Sequence, residues 1–201
     1  MEGGFARASK PGPKRNRIIR AVSIPGFGTY RFCPRCGGGL NLRALKPGEP
    51  SRLVCSACAF VLYLDPKVAA CTICRTDAGI VLLKRGIDPQ RGLWVFPGGF
   101  VDRGEAVGDA AVRETLEEVG LRVSLTGILD AYSTPGSAVV VVVYAAEVVG
   151  GTLEARDESL EVRAFPPEEI PWDELAFEST RVALRDYLSR FYPRVRVVRP
   201  E

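Results

Sequence analysis

Three glutamates near the middle of the chain have the type and spacing to bind a metal ion. Glu114, Glu117 and Glu118 fall at i, i+3 and i+4 of residues 106–119, a stretch that predicts one helix ending at Gly120. All three carboxylates therefore share one face of the helix, where they repel one another. Carboxylate oxygens in this arrangement suit Mg²⁺ or Mn²⁺, which proteins bind together with substrate phosphates. A solvated acidic helix face is the alternative for three glutamates alone.

The same helix needs an apolar face with which to pack against the rest of the protein. Val112, Leu116 and Val119 recur at i, i+4 and i+7. We expect these three side chains to form a stripe that faces the core, on the side opposite the carboxylates.

A longer pattern surrounds the glutamates. A Gly is followed by five residues, a Glu, seven residues and an Arg-Glu pair. An aliphatic position, any residue, a Glu-Glu pair, any residue, a Gly and an aliphatic residue then follow. This pattern resembles the signature of the Nudix hydrolases, and its one soft departure is Thr115 at the aliphatic position. Seven fixed residues of about 6% usage each recur by chance on the order of once per 10⁸–10⁹ positions. The glycine and charged positions are Gly99, Glu105, Arg113, Glu114, Glu117, Glu118 and Gly120.

The resemblance implies a catalytic centre on this helix. Catalytic Mg²⁺ or Mn²⁺ would be bound at the substrate diphosphate by Glu114, Glu117 and Glu118. Arg113 would orient the centre by pairing with a carboxylate such as Glu105, and Gly99 would let the loop pack closely against the helix. Water would attack one phosphorus of a diphosphate bridge and release two monophosphates, with the metal lowering the pKa of that water.

The general base has to be a residue other than histidine, because the chain contains none. In several relatives with this signature, the base is a Glu in a loop after the fifth strand, six residues ahead of a Trp. Glu158 stands six residues before Ala164, so the Glu is present here without the Trp. Glu161 is the alternative base, and a solvated loop acid is the alternative role for Glu158.

Segments outside the signature indicate the substrate class. The segments CPRCGGGL, GLWVFPGGFVDRGE and IPWDELAFEST resemble a zinc-ribbon-bearing Nudix branch related to ADP-ribose and FAD pyrophosphatases. NADH pyrophosphatases also have a ribbon, but they carry an SQPWPFP-like segment where this chain has DAYSTPG at residues 130–136. The resemblance implies a dinucleotide-type small molecule, FAD (giving FMN and AMP) or ADP-ribose, with NADH as the alternative. Relatives of the ADP-ribose type often dimerise, so a homodimer is a candidate assembly.

Two cysteine pairs precede the signature and predict a zinc ribbon over residues 30–63. Cys33 and Cys36 form one CxxC and Cys55 and Cys58 another, with 18 residues between the pairs. Each pair suits a tight turn that directs two thiolates at one ion. We expect structural Zn²⁺, because a closed four-cysteine site leaves no open position for chemistry; rubredoxin-like iron and an empty site are the alternatives.

A third CxxC, formed by Cys71 and Cys74, lies in the strand predicted over residues 67–75. Residues three apart in a strand point to opposite faces, so the two sulfurs would diverge. We expect these cysteines to be buried core residues rather than metal ligands.

The remaining pattern predicts the frame that positions the signature. Five further strands and a final helix are expected at residues 79–85, 93–96, 121–133, 137–149, 162–165 and 178–191. This order suits a mixed sheet between helices. The resemblance implies an α/β (α+β) Nudix fold, an α/β/α sandwich with a mixed sheet at residues 64–193, preceded by the small four-cysteine zinc ribbon. We expect a basic, disordered tail at residues 1–29 and a short tail at 194–201.

Charge and hydropathy limit the partners. Residues 1–62 carry 11 Lys/Arg against two acids, whereas residues 63–201 carry 16 against 22. No basic motif interleaved with aromatics accompanies this charge, so no nucleic-acid partner is expected. A nucleotide-sensing regulator whose ribbon contacts nucleic acid is the non-catalytic alternative, although such domains often lose signature carboxylates that are intact here.

The longest apolar run, residues 138–146, is too short to cross a bilayer, and no signal peptide is evident. We therefore expect a cytoplasmic protein without a membrane partner.

Overall fold

The computed structural model describes residues 29–193, in which two separate β-sheets form. The predicted tails at residues 1–29 and 194–201 lie outside the described residues, apart from Thr29. Between residues 29 and 193, neither helix is long and apolar enough to cross a lipid bilayer.

The cysteine segment folds as a small antiparallel sheet. Its strands are β1 (Leu40–Arg43), β2 (Arg52–Cys55) and β3 (Val61–Leu62), in the order β1-β2-β3. The buried side chains of β2 are Leu53, Val54 and Cys55. A segment this short buries little apolar surface, so it depends on a metal or another cross-link for stability.

The second sheet has seven strands and carries the signature. They are β4 (Lys67–Thr76), β5 (Gly79–Arg85), β6 (Trp94–Val95), β7 (Gly98–Phe100), β8 (Leu121–Ser133), β9 (Val139–Gly151) and β10 (Ser159–Phe165). The order is β10-β5-β4-β9-β8, with β6 paired to β5 and β7 paired to β4. β4 and β9 are parallel and the other pairs are antiparallel, so the sheet is mixed, as predicted.

Two helices complete the fold, which is the predicted mixed α+β arrangement. The helix α1 (Val107–Val119) packs on β4, β7 and β8, and α2 (Glu178–Phe191) packs on β8 and β9. Gly120 ends α1 in a left-handed conformation with φ of 71°, and its N–H donates to the carbonyl of Leu116. The glycine is therefore the helix stop that the sequence predicted.

The prediction of the buried face of α1 was wrong for Leu116, and also for Glu118, which was placed on the opposite face but is buried. Leu116 is 41% exposed, whereas the buried side chains are those of Ala110, Ala111, Thr115, Glu118 and Val119. Two alanines of this face pack against Ala70 in β4. Small side chains let the helix approach the sheet closely on this side, and Leu116 is left outside the contact.

Two parts of the larger sheet differ from the prediction by three residues or more. The loop that the family resemblance assigned to Gly99 is a strand here, because Gly98 and Gly99 lie in β7 and align with Cys71 and Ala70 of β4. β10 begins at Ser159 rather than at residue 162. Both differences arise from pairing with strands distant in sequence, which a local pattern does not report.

Candidate active site and zinc centre

The four cysteines of the ribbon come together around one point. The Sγ atoms of Cys33 and Cys58 are 3.8 Å apart, those of Cys36 and Cys55 are 3.5 Å apart, and those of Cys36 and Cys58 are 3.3 Å apart. All four sulfurs lie within 4.8 Å of one another. A tetrahedral zinc with sulfur ligands at about 2.3 Å separates its ligands by about 3.8 Å, so this donor set fits structural zinc.

Tight turns position these thiolates. The carbonyl of Cys33 accepts the N–H of Gly37, whose φ of 75° requires the left-handed region, and the N–H of Arg35 donates to the sulfur of Cys33. In the second pair, the backbone N–H of Cys58 lowers the pKa of the Cys55 thiol to about 6. A lowered pKa favours the thiolate, which is the form that binds a metal.

Cys71 and Cys74 take no part in this group. Both are buried in the core of the larger sheet, as predicted, and burial raises the pKa of the Cys74 thiol to about 11. They are protonated core residues.

In the signature, Arg113 joins several carboxylates. Its Nε donates to Oε1 of Glu105 at 2.7 Å and its Nη2 donates to Oε2 at 3.0 Å, so the two side chains form a bidentate pair. Its Nη1 donates to Glu114 and to Glu117, both at 2.9 Å. The guanidinium thereby offsets repulsion among the acids, and it holds the pKa of Glu105 at about 2.

Glu114 lies against the glycine loop. Its carboxylate occupies the space next to the Cα of Gly99 that any β-carbon there would need. Burial raises the pKa of Glu114, while Arg113 opposes that rise. The close approach that the family resemblance assigned to Gly99 is thus present in the structure.

Glu118 is the most buried carboxylate of the helix, at 9% exposure. Its Oε2 accepts the backbone N–H of Gly98 at 2.8 Å. Burial raises its pKa to about 8, the negative charges of Glu114 and Glu158 contribute to the rise, and the Gly98 bond opposes it. A carboxyl in this environment is stabilised in its charged form by a nearby cation.

Glu158 stands in a loop whose backbone is bonded to the end of the same helix. In residues 152–158, the N–H of Glu154 donates to the carbonyl of Val119, and the N–H of Arg156 donates to the carbonyl of Glu118, each at 3.1 Å. These bonds satisfy two of the carbonyls that a helix leaves free at its C-terminus. On the other side, Gly86 donates its N–H to the carbonyl of Glu158 at 2.6 Å.

Glu161, the alternative base, lies in β10 and is directed elsewhere. Its Oε2 pairs with Nζ of Lys84 at 3.3 Å, and that ammonium also lies 5.1 Å from the centre of the Trp94 ring. The negative charge of Glu158 contributes to the raised pKa of Glu118, whereas Glu161 is paired with Lys84.

Sequence reasoning missed several groups that form this site. The N–H of Gly98 donates to the carboxylate of Glu118, and the N–H of Gly86 donates to the backbone carbonyl of Glu158. The Gly98-Gly99 pair at the start of the signature was a usable signal for the first. Nothing in the local sequence marks Gly86, because its partner is distant in the chain.

Comparison with known proteins is consistent with this geometry. Residues 64–187 match the family model described as NUDIX domain, and residues 31–64 match the model described as Nudix N-terminal, a zinc ribbon. The ADP-ribose pyrophosphatase of Methanocaldococcus jannaschii is 38% identical over 131 residues, which are 63% of this chain and 76% of that protein.

Two further matches extend over more than four fifths of this chain, and so reach into the ribbon. The NAD-capped RNA hydrolase NudC of Stutzerimonas stutzeri is 28% identical over 174 residues, and the match spans 86% of this chain but only 59% of that protein. The crystal structure of a NUDIX hydrolase from Nitrosomonas europaea matches with a TM-score of 0.77 at 34% identity, covering 82% of this chain and 94% of that one.

Proposed function

The chain belongs to the Nudix hydrolase family, and we propose that it hydrolyses the diphosphate bridge of ADP-ribose or FAD in a reaction dependent on Mg²⁺ or Mn²⁺. The observation that carries the proposal is the buried carboxylate of Glu118, fixed by the N–H of Gly98 on the same helix as Glu114 and Glu117. The loop that is bonded to the end of this helix contains Glu158, the carboxylate to which we assign the role of proton acceptor.

The donor set fits a hard divalent cation. Glu114, Glu117 and Glu118 offer carboxylate oxygens, and their mutual repulsion and the burial of Glu118 are both relieved by a positive ion. We assign these three residues to the metal. The bound cation would polarise the phosphoryl oxygens and lower the pKa of water.

Arg113 and Glu158 have the remaining roles in the proposed reaction. Arg113 holds Glu114 and Glu117 in place through its Nη1, and its pairing with Glu105 fixes the guanidinium. Glu158 accepts a proton as the water oxygen bonds to one phosphorus. The bridging P–O bond breaks at that phosphorus, the bridge oxygen leaves with the other phosphate, and two monophosphates result.

ADP-ribose is the first substrate to test, because an ADP-ribose pyrophosphatase is 38% identical to this chain. FAD is the second, on the resemblance of the segments around the signature. A specific observation keeps a nicotinamide dinucleotide or a capped RNA as the alternative: the match to an NAD-capped RNA hydrolase spans 86% of this chain.

The experiment is a panel of ADP-ribose, FAD, NADH and NAD-capped RNA with Mg²⁺ or Mn²⁺, with monophosphates quantified by chromatography. Glu117→Gln removes a proposed metal ligand, and Glu168→Gln, an exposed acid of the turn at Pro167–Glu169, is the matched control. Preferred hydrolysis of ADP-ribose or FAD that is lost only in Glu117→Gln is the expected result. Preference for NADH or capped RNA would move the substrate to the alternative, and no hydrolysis by the metal-loaded protein would overturn the proposal.

A further inference from the structure

Two threonines form a polar contact inside the core, between the sheet and the signature helix. Thr72 of β4 and Thr115 of α1 are both 0% exposed, and their Oγ1 atoms are 2.7 Å apart. Thr115 donates its hydroxyl proton to the carbonyl of Ala111 at 2.7 Å. Each hydroxyl has one proton, so Thr72 is the donor in the bond between the two threonines.

The backbone N–H of Thr72 binds the strand segment that contacts Glu118. Its N–H donates to the carbonyl of Pro97 at 2.9 Å. The next residue along the chain, Gly98, donates its N–H to Oε2 of Glu118 at 2.8 Å. Thr72 therefore fixes the peptide that contains the donor to Glu118.

These bonds close a ring around the buried carboxylate. Thr115 and Glu118 are three residues apart on α1, so they lie on the same face of neighbouring turns. The side chain of Thr72 fixes the helix turn from which Glu118 projects, and its backbone fixes the strand that binds Glu118. We infer that Thr72, acting through Thr115, is a positioning residue that sets the place of the Glu118 carboxylate for metal binding, an inference that rests on the proposed function.

A directional bond is useful here because the surrounding contact is made of small residues. Ala110 and Ala111 pack against Ala70, and such side chains do not interlock strongly along the helix axis. An aliphatic residue at position 115 would add contact area without fixing direction. A buried hydroxyl that loses its hydrogen-bond partner destabilises the folded protein. The Thr72–Thr115 bond therefore opposes sliding of the helix on the sheet.

The expected consequence concerns metal affinity. Partners that orient metal ligands typically contribute about 10- to 100-fold to metal affinity or activity. We expect Thr115→Val and Thr72→Val each to weaken Mn²⁺ binding about tenfold. Thr115→Ser keeps the hydroxyl and should retain the affinity of the wild type.

The test is equilibrium Mn²⁺ binding by the full chain with its zinc in place, measured from the electron paramagnetic resonance signal of free Mn²⁺. Urea unfolding of each variant is measured in parallel. Thr180→Val is the matched control, because Thr180 is a buried threonine of α2. The double variant Thr72→Val/Thr115→Val removes both hydroxyls, so its stability should exceed that of the less stable single variant while its Mn²⁺ affinity stays low.

The outcomes separate positioning from mere packing. Weakened Mn²⁺ binding in both single variants and the double variant, with normal binding in Thr115→Ser and Thr180→Val, supports the inference. Unchanged Mn²⁺ affinity in Thr72→Val and Thr115→Val, whatever their stability, overturns the inference alone. Absence of Mn²⁺ binding by the wild type would instead overturn the proposed metal site and, with it, this role for Thr72.

Discussion

The carboxylate of Glu114 lies against the Cα of Gly99, in the space where a β-carbon at position 99 would stand. Gly99→Ala must therefore displace Glu114, although the backbone of Gly99 is not in the left-handed region. A misplacement of about 1 Å at a catalytic centre can cost about 100-fold in rate, and we expect a loss of that order in kcat.

The measurement for Gly99→Ala is steady-state hydrolysis together with thermal unfolding. Gly39→Ala is the matched control, because the nearest atom to its added methyl would be Oγ of Ser56 at 3.8 Å. Full activity in Gly99→Ala would show that the position of Glu114 does not matter for the reaction.

The two candidate bases can be separated by isosteric variants. Glu158→Gln should lower kcat by about 10²- to 10⁴-fold and flatten the acid limb of the pH–rate profile, as expected for loss of a general base. Glu161→Gln should change kcat little, because that carboxylate is paired with Lys84. The reverse pattern in the two profiles would assign the base to Glu161.

The Arg113–Glu105 pair predicts a pH dependence of stability. Hydrogen bonding to Arg113 lowers the pKa of Glu105 from 4.5 to about 2. A carboxyl whose pKa is lower in the folded state stabilises the fold above its unfolded pKa, and this contribution is lost as the pH falls from 4.5 towards 2. Glu105→Gln should thus have a smaller free energy of unfolding than the wild type at pH 7. This difference in stability, the stability gap, should narrow below pH 4.5.

Urea unfolding of both proteins at pH 7 and at about pH 3.5 measures that gap, and effects common to the two proteins cancel. Glu169→Gln, which removes an exposed partner of Arg163, is the control and should give almost no gap. A gap for Glu105→Gln that is equal at both pH values would contradict the assignment.

The ribbon cysteines predict one zinc per chain. Cys55→Ser should abolish zinc binding and unfold the ribbon, because binding of the metal supplies the folding free energy of such a segment. Cys74→Ala should keep its zinc despite a less stable core, since Cys74 lies outside the four-sulfur group. Zinc content measured by a chelating dye after denaturation tests both, and loss of zinc from Cys74→Ala would mean that the third CxxC takes part.

Much of the site could be predicted because it is local in sequence. The spacing of Glu114, Glu117 and Glu118 within one helix, and the stop at Gly120, follow from helical geometry alone. The four ribbon cysteines follow similarly from two tight turns. The strand predicted at residues 137–149 is β9, which pairs with a neighbouring strand on both sides.

The parts that failed depend on contacts between distant residues. Leu116 has the periodicity of a core residue, but close packing of the alanines against Ala70 directs it outward. The pairing of Gly98 with Cys71 turns an expected loop into a strand. The bond between Thr72 and Thr115 is visible in sequence only as a departure from an aliphatic position.

The parallel pairing of β4 with β9 has a consequence for how the chain folds. Lys67 aligns with Val139, and the whole signature lies in the connection between these two strands. Closing such a long connection is entropically costly and slow, whereas the β8–β9 hairpin can form from neighbouring residues. During refolding, β structure should therefore appear before hydrolytic competence, because the carboxylate helix gains its place only when the two central strands meet.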